Sequence, residues 1–169
     1  AHKAVEHVII SRGEPERILG QAVSPAFFAL VKARLAVGRF PLEAEHQTGA
    51  PKVLVLSHDY WKNRFGAKPD VVGTTIRLDG ESYNVIGVAA EGFWFPSLDA
   101  RFWTPLTLSA TKTSHKEGGV QVIGRLNAGV TRQQVVALLA PYSAELERRF
   151  PDTHTGVQAQ AETLFNGFY

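Results

Sequence analysis

The hydrophobic pattern is densest between Val53 and Val88. Val53-Leu54-Val55-Leu56 is an unbroken apolar run of strand length, the pattern of a short strand buried on both faces. Ser57 ends it as a helix N-cap, and Tyr60, Trp61 and Phe65 then share one apolar stripe of a helix over 57–65 that faces the core. Gly66 supplies the left-handed residue that closes this helix, and Pro69 prevents its resumption. Beyond it, Thr74–Leu78 and Ser82–Ile86 alternate on either side of Asp79-Gly80-Glu81, which predicts a β-hairpin turning at Asp79-Gly80.

Weaker patterns flank this unit. Val5–Ile10 reads as a strand, Arg12-Gly13-Glu14-Pro15 as a turn and Arg17–Val23 as a second strand. Ser24-Pro25 opens a helix over 24–32 whose buried face is Phe27, Phe28, Leu30 and Val31, with Gly38 near its end or in the connector after it. Arg39–Lys52, with Pro41, Gly49 and Pro51, is a surface loop, and Thr107–Gly119 has the profile of a mobile one. Near the C-terminal end, Val120–Leu126 is a strand candidate and Asn127-Ala128-Gly129 a turn, and Thr131-x-x-Gln134 is a capping box for a helix over 131–150. Val135, Leu138, Leu139, Tyr142, Leu146 and Phe150 give that helix one continuous apolar face, which must lie on a sheet or another helix. Pro141 should kink it, Pro151 should stop it, and Val157–Leu164 can return as a strand, completing a split β-α-β lobe. The fold class is therefore α+β: a two-lobed, mixed-sheet domain with strand-helix-strand units and a hairpin.

Composition narrows the function classes. The 169 residues carry 44% hydrophobic positions, enough for a substantial core, and 18 basic against 16 acidic residues spread without blocks, which argues against nucleic acid as a partner. With no cysteine there is no disulfide framework and no thiolate metal site. No window reaches the about 18 apolar residues of a membrane-spanning helix, and Ala1–Ile10 lacks the features of a signal peptide, so the chain reads as soluble. Methionine is absent, even at the start, which suggests a piece excised from a longer protein.

Candidate chemistry is sparse. Ser57-His58 and Ser114-His115 are neighbours without a nucleophile elbow, so an N-cap and a polar loop explain them better than a nucleophile and its base. Glu43, Glu45 and His46 are close enough in sequence to raise a metal site, but further ligands would have to come from elsewhere. The six histidines, His2, His7, His46, His58, His115 and His154, show no metal-binding spacing, and there is no phosphate-cradling glycine loop. Phe93-Trp94-Phe95, with Phe102-Trp103 soon after, is either a ligand or partner platform or a core plug beneath the hairpin; the area these rings bury favours the plug. No catalytic, cofactor-binding or metal-binding residue is assigned, and no cofactor.

The ordered blocks Gly38-Arg39-Phe40, Val55-Leu56-Ser57, Tyr60-Trp61, Arg64-Phe65-Gly66, Val71-Val72-Gly73, Ile76-Arg77-Leu78-Asp79-Gly80 and Tyr83–Val88 resemble the MacB-like periplasmic core domain. Gly92-Phe93, Phe95-Pro96, Trp103-Thr104-Pro105-Leu106, Ile123-Gly124-Arg125-Leu126 and Gly129-Val130-Thr131 extend the resemblance from about Gly20 to Asp152. Two departures stand out: Leu30-Val31-Lys32-Ala33 runs where the family often has a glycine, and Pro141 interrupts the last helix.

The resemblance implies a non-catalytic extracytoplasmic domain of an ABC-type export permease of the MacB, LolC and FtsX type, periplasmic and tethered to the inner membrane of a bacterium. Its partners would be the transmembrane helices of the same permease, an ATPase domain or subunit and a periplasmic adaptor or exported cargo, with a homodimer in the full-length protein. In that reading the domain couples membrane-helix movement to the adaptor or cargo, with contacts made by loops such as Thr107–Gly119. The alternative is a periplasmic domain that binds a small hydrophobic or peptide ligand in a cleft lined by Phe93-Trp94-Phe95.

Overall fold

A computed structural model describes residues 1–11, 14–107 and 120–164. The chain divides into two compact units, Ala1–Thr113 with Gly119–Ile123, and Ser114–Gly118 with Gly124–Tyr169.

The first unit is built on a seven-stranded mixed sheet. Its strands are β1 (His2–Ser11), β2 (Glu14–Val23), β3 (Leu35–Gly38), β4 (Val53–Leu56), β5 (Thr75–Leu78), β6 (Glu81–Ala89) and β7 (Phe102–Pro105). They run in the order β1-β2-β7-β4-β6-β3, with β5 also on β6. Central β4 pairs parallel with β6 and antiparallel with β7. Its alternate residues feed two cores, as the four-residue apolar run predicts. Leu54 and Leu56 join Trp61, Leu78, Val85 and Phe102 on one face, while Val53 and Val55 join Phe27, Phe28, Phe95 and Trp103 on the other.

Between β4 and β6 lies helix α2 (His58–Phe65), bounded as its sequence predicts. The Ser57 hydroxyl accepts from the Tyr60 N–H at 3.2 Å, and Gly66 ends the helix at φ 64°. Trp61 is buried and Phe65 packs against the same core. The Trp61 indole N–H also donates to the Lys68 carbonyl at 2.8 Å. The hairpin turns at Asp79 (φ 50°) and Gly80 (φ 79°), both left-handed, as a two-residue turn matched to strand twist requires.

Several elements differ from expectation. β1 and β2 pair over ten residues each, so Glu14 and Pro15, expected in the turn, already belong to β2; Arg12 and Gly13 lie outside the described residues. Gly38 closes strand β3 rather than a connector, because it pairs with Gly87. A Cβ on Gly87 would lie 2.6 Å from the Arg39 carbonyl oxygen, so this pairing needs the bare glycine. Gly20 is the register partner of Phe102, whose ring occupies the space where a Cβ would project.

The first helix, α1, spans only Phe27–Leu30, without a side-chain cap. It closes at Lys32, which takes φ 52° while the Ala33 N–H bonds the Phe28 carbonyl at 2.9 Å. This lysine therefore adopts the conformation that glycine would take most readily, at the stretch where the sequence departs from the family it resembles.

In the second unit, α3 (Arg132–Arg149) carries the predicted capping box. The Thr131 N–H donates to Gln134 Oε1 at 2.8 Å, and the Gln134 N–H donates to Thr131 Oγ1 at 3.3 Å. The helix continues through Pro141 and ends at Arg149, just before Pro151 as expected; Pro151 then opens a separate one-turn helix, α4 (Pro151–His154). Neither strand expected here forms among the described residues. Of Val120–Leu126 only Gln121 pairs, by a single antiparallel bridge to His2 within the first unit, and 157–164 form neither strand nor bridge. A strand exists only where another backbone meets its N–H and C=O groups, and local sequence cannot supply that partner.

Candidate functional site

The candidate clusters resolve differently. At Ser57-His58, the serine oxygen is engaged as a helix cap, and His58 turns edge-on to Trp61 with ring centroids 5.4 Å apart. The two side chains are not brought together as nucleophile and base. Ser114-His115 and most of the Thr107–Gly119 loop fall outside the described residues.

At Glu43-Ala44-Glu45-His46 the chain forms a single 3-10 turn. Glu45 receives both ends of the Arg39 guanidinium, at 2.6 and 2.8 Å, and also accepts from the Leu42 N–H at 2.7 Å. These hydrogen bonds hold its carboxyl below the usual carboxylate range and hold Arg39 above its usual value. Such a carboxylate is committed to arginine. Burial lowers the pKa of His46, and Glu43 is exposed. No group of three metal-ligating side chains occurs among the described residues.

The aromatic cluster packs inward. Phe95 is buried beside Phe27, with centroids 5.9 Å apart, and Phe93 lies 5.0 Å from Trp103. Trp103 is wholly buried, and its indole N–H donates to the Phe95 carbonyl at 3.0 Å. Only Trp94 reaches the surface appreciably, at 37% exposure. Phe93, Phe95 and Trp103 thus pack in the second core and Phe102 in the first, as a plug would, instead of lining a cleft.

Sequence reasoning missed a different constellation. Asp79, read only as a turn residue, reaches β1: its carboxylate accepts from the Val8 N–H at 2.7 Å and meets His7 Nδ1 at 2.5 Å, while its own N–H donates to the Val8 carbonyl at 2.9 Å. The Val8 amide, then His7, hold the Asp79 carboxyl below its ordinary range. This clip ties the hairpin tip to β1 and curls the sheet. Also unforeseen is His2, buried between Phe27 and Phe95 and 3.2 Å from Gln21 Oε1, its pKa lowered chiefly by desolvation. No local motif marks either arrangement, because each joins residues far apart in sequence.

The geometry is that of a packed structural domain, and comparison with known proteins gives it a place. The family model described as "MacB-like periplasmic core domain" matches residues 3–142. The chain belongs to this family. The crystal structure of the periplasmic region of MacB from Actinobacillus actinomycetemcomitans superposes with a TM-score of 0.56 at 16% identity, over 90% of this chain and 67% of that one. The extracellular domain of the noncanonic ABC-type transporter YknZ from Gram-positive bacteria gives 0.58 at 15% identity, over 98% and 79%. No curated protein matches the chain in sequence. Membership of this MacB-like family relates the chain to periplasmic domains of ABC-type transporter permeases. Among the described residues no helix is long and apolar enough to cross a membrane.

Proposed function

We propose that this chain is a non-catalytic coupling domain on the outer side of a bacterial inner membrane, part of an ABC-type export permease. It transmits movement of the permease's membrane helices, driven by an ATPase domain or subunit, to a periplasmic adaptor or exported cargo. The observation that carries this reading is the family match across residues 3–142. The ligand-binding alternative loses support because Phe93 and Phe95, its intended cleft lining, pack on Phe28, Trp103 and Phe27. A homodimer in the full-length protein belongs to the same proposal.

The test is to scramble Thr107–Gly119 in the full-length permease and measure transport and ATP hydrolysis, with thermal unfolding as the control for folding. Loss of transport at unchanged thermal stability supports the loop as the contact surface. Full retention of both activities removes it. Turnover of any substrate by the purified domain, through a residue whose removal spares the fold, would overturn the non-enzymatic reading.

A further inference from the structure

Strand β1 is an outer strand of the sheet, paired with β2 on one side only. Its ten residues pair without a break in register, so its backbone groups alternate regularly between the β2 side and the open side. Two points on the open side are taken. His2 exchanges both of its backbone groups with Gln121, at 2.9 and 2.8 Å, and Val8 gives both of its own to Asp79, at 2.7 and 2.9 Å. By the same alternation Ala4 and Glu6 turn their N–H and C=O groups outward, and neither has a backbone partner there among the described residues. Both residues are exposed.

A regular strand edge, with neither bulge nor proline, is a template for another strand, and natural sheets usually protect it. Here the two occupied points bracket an open window of about 20 Å, set by the rise of a strand from His2 to Val8. The vacant groups in it are amide donors and carbonyl acceptors at two-residue spacing, a pattern that extended backbone matches and that an ion or a lipid headgroup does not. The β1 strand of a second copy does not fit either. It is ten residues long and would run into Gln121 at one end of the window and into the Asp79 turn at the other.

We propose that the β1 edge between His2 and Val8 is a docking slot for a short extended segment of another protein, which joins the sheet as an added strand opposite Lys3–His7. Side chains set the chemistry of that segment. Val5 packs against the first core, so the residue opposite it shares that face and is apolar. Glu6 gives Oε1 to Arg17 of β2 at 3.1 Å, and its Oε2 has no partner among the described residues, so the residue opposite Glu6 is lysine or arginine. The inference rests on the strand edge and not on the coupling role.

The test uses the full-length permease, purified in detergent, and the synthetic probe acetyl-Val-Lys-Val-Thr-Val-amide, which runs antiparallel to β1 with its lysine opposite Glu6. Methylating the backbone nitrogens of its lysine and threonine removes the donors that face Glu6 and Ala4 and leaves every side chain in place. The methylated probe is expected to bind about tenfold or more weakly than the parent probe. Equal binding of the two, or no saturable binding of the parent, overturns the proposal. Ala4→Pro removes an outward N–H without touching the bonds to β2, and should weaken the parent probe by about tenfold or more at an unchanged unfolding temperature. Should that variant disturb folding, amide-resolved hydrogen exchange of the unaltered permease decides. Ala4 and Glu6 should exchange about tenfold or more faster than the inward-facing Val5 and His7, and slow to their level with the probe bound. Slow exchange without the probe overturns the proposal: the permease's own chain already covers the edge, or a second copy does if the protection fades on dilution. None of these measurements reads transport or ATP hydrolysis, so failure here is distinct from failure of the coupling reading.

Discussion

Strand β4 and helix α3 are both written plainly in the hydrophobic pattern, yet β4 buries all four of its residues and α3 buries none. The difference lies in what surrounds them. β4 sits between β6 and β7 with side chains from both faces of the sheet against it. α3 has its caps, its length and its stripe, but Leu138, Tyr142 and Leu146 on that stripe stay exposed. Local sequence decides that an element forms; only the remainder of the chain decides whether its apolar face is used.

The contrast is sharpest if broken at its strong end. Trp61→Ala should cost ~3–5 kcal/mol, through lost burial and the cavity left in the first core. Urea unfolding followed by fluorescence would show it, since Trp94 and Trp103 remain in the same unit as reporters. An unchanged midpoint would contradict the placement of Trp61. Gly87→Ala is expected to cost ~1–3 kcal/mol by forcing β3 and β6 apart against the Arg39 carbonyl, with Ser82→Ala on the exposed side of the same strand as the neutral reference.

Acid should divide the two units. His2 and His46 are held below their ordinary 6.5 chiefly by burial, so the fold favours their neutral forms; that stabilisation is intact above 6.5 and declines as pH falls below it. Glu45 and Asp79 follow as pH drops below their ordinary 4.5 and 3.8. All four belong to the first unit, so pH-resolved hydrogen exchange should show its strands losing protection selectively.

Lys32→Gly should raise stability by ~1 kcal/mol, since glycine adopts φ 52° without steric penalty. A loss would show that the lysine side chain contributes more than its backbone costs. The smallest effect is expected at the weak end: Leu138→Ala, in this chain alone, should change stability by less than ~0.5 kcal/mol, read by circular dichroism on heating. A large loss there would mean that the stripe is already covered.

What was legible follows the same division. The caps of α2 and α3, the Asp79-Gly80 turn and the twofold burial of β4 are each set by residues within a few positions of one another, so their signals survive in sequence. β3 was missed because Leu35–Gly38 becomes a strand only through Val88 and Gly87, far along the chain. Val120–Leu126 and Val157–Leu164 failed in the opposite sense: they have strand character, but no described strand pairs with them beyond the bridge at Gln121. The candidate clusters were legible as residue types and not as partners. Nothing adjacent to Glu45 announces that Arg39 holds it, and nothing adjacent to Asp79 announces Val8.

The register of the outer strands sets how the first unit would bear load. His2 stands opposite Val23, Val23 opposite Pro105, and His2 is bridged to Gln121, so the start of β1 and the end of β7 lie at the same end of the sheet with one strand between them. Tension applied between those two points pulls across the strands and not along them. It therefore meets the hydrogen bonds one rung at a time, like a zip, instead of loading a whole ladder in shear. A clip placed further along β1, where Asp79 grips Val8, is then the point at which such peeling from the His2 end would be arrested.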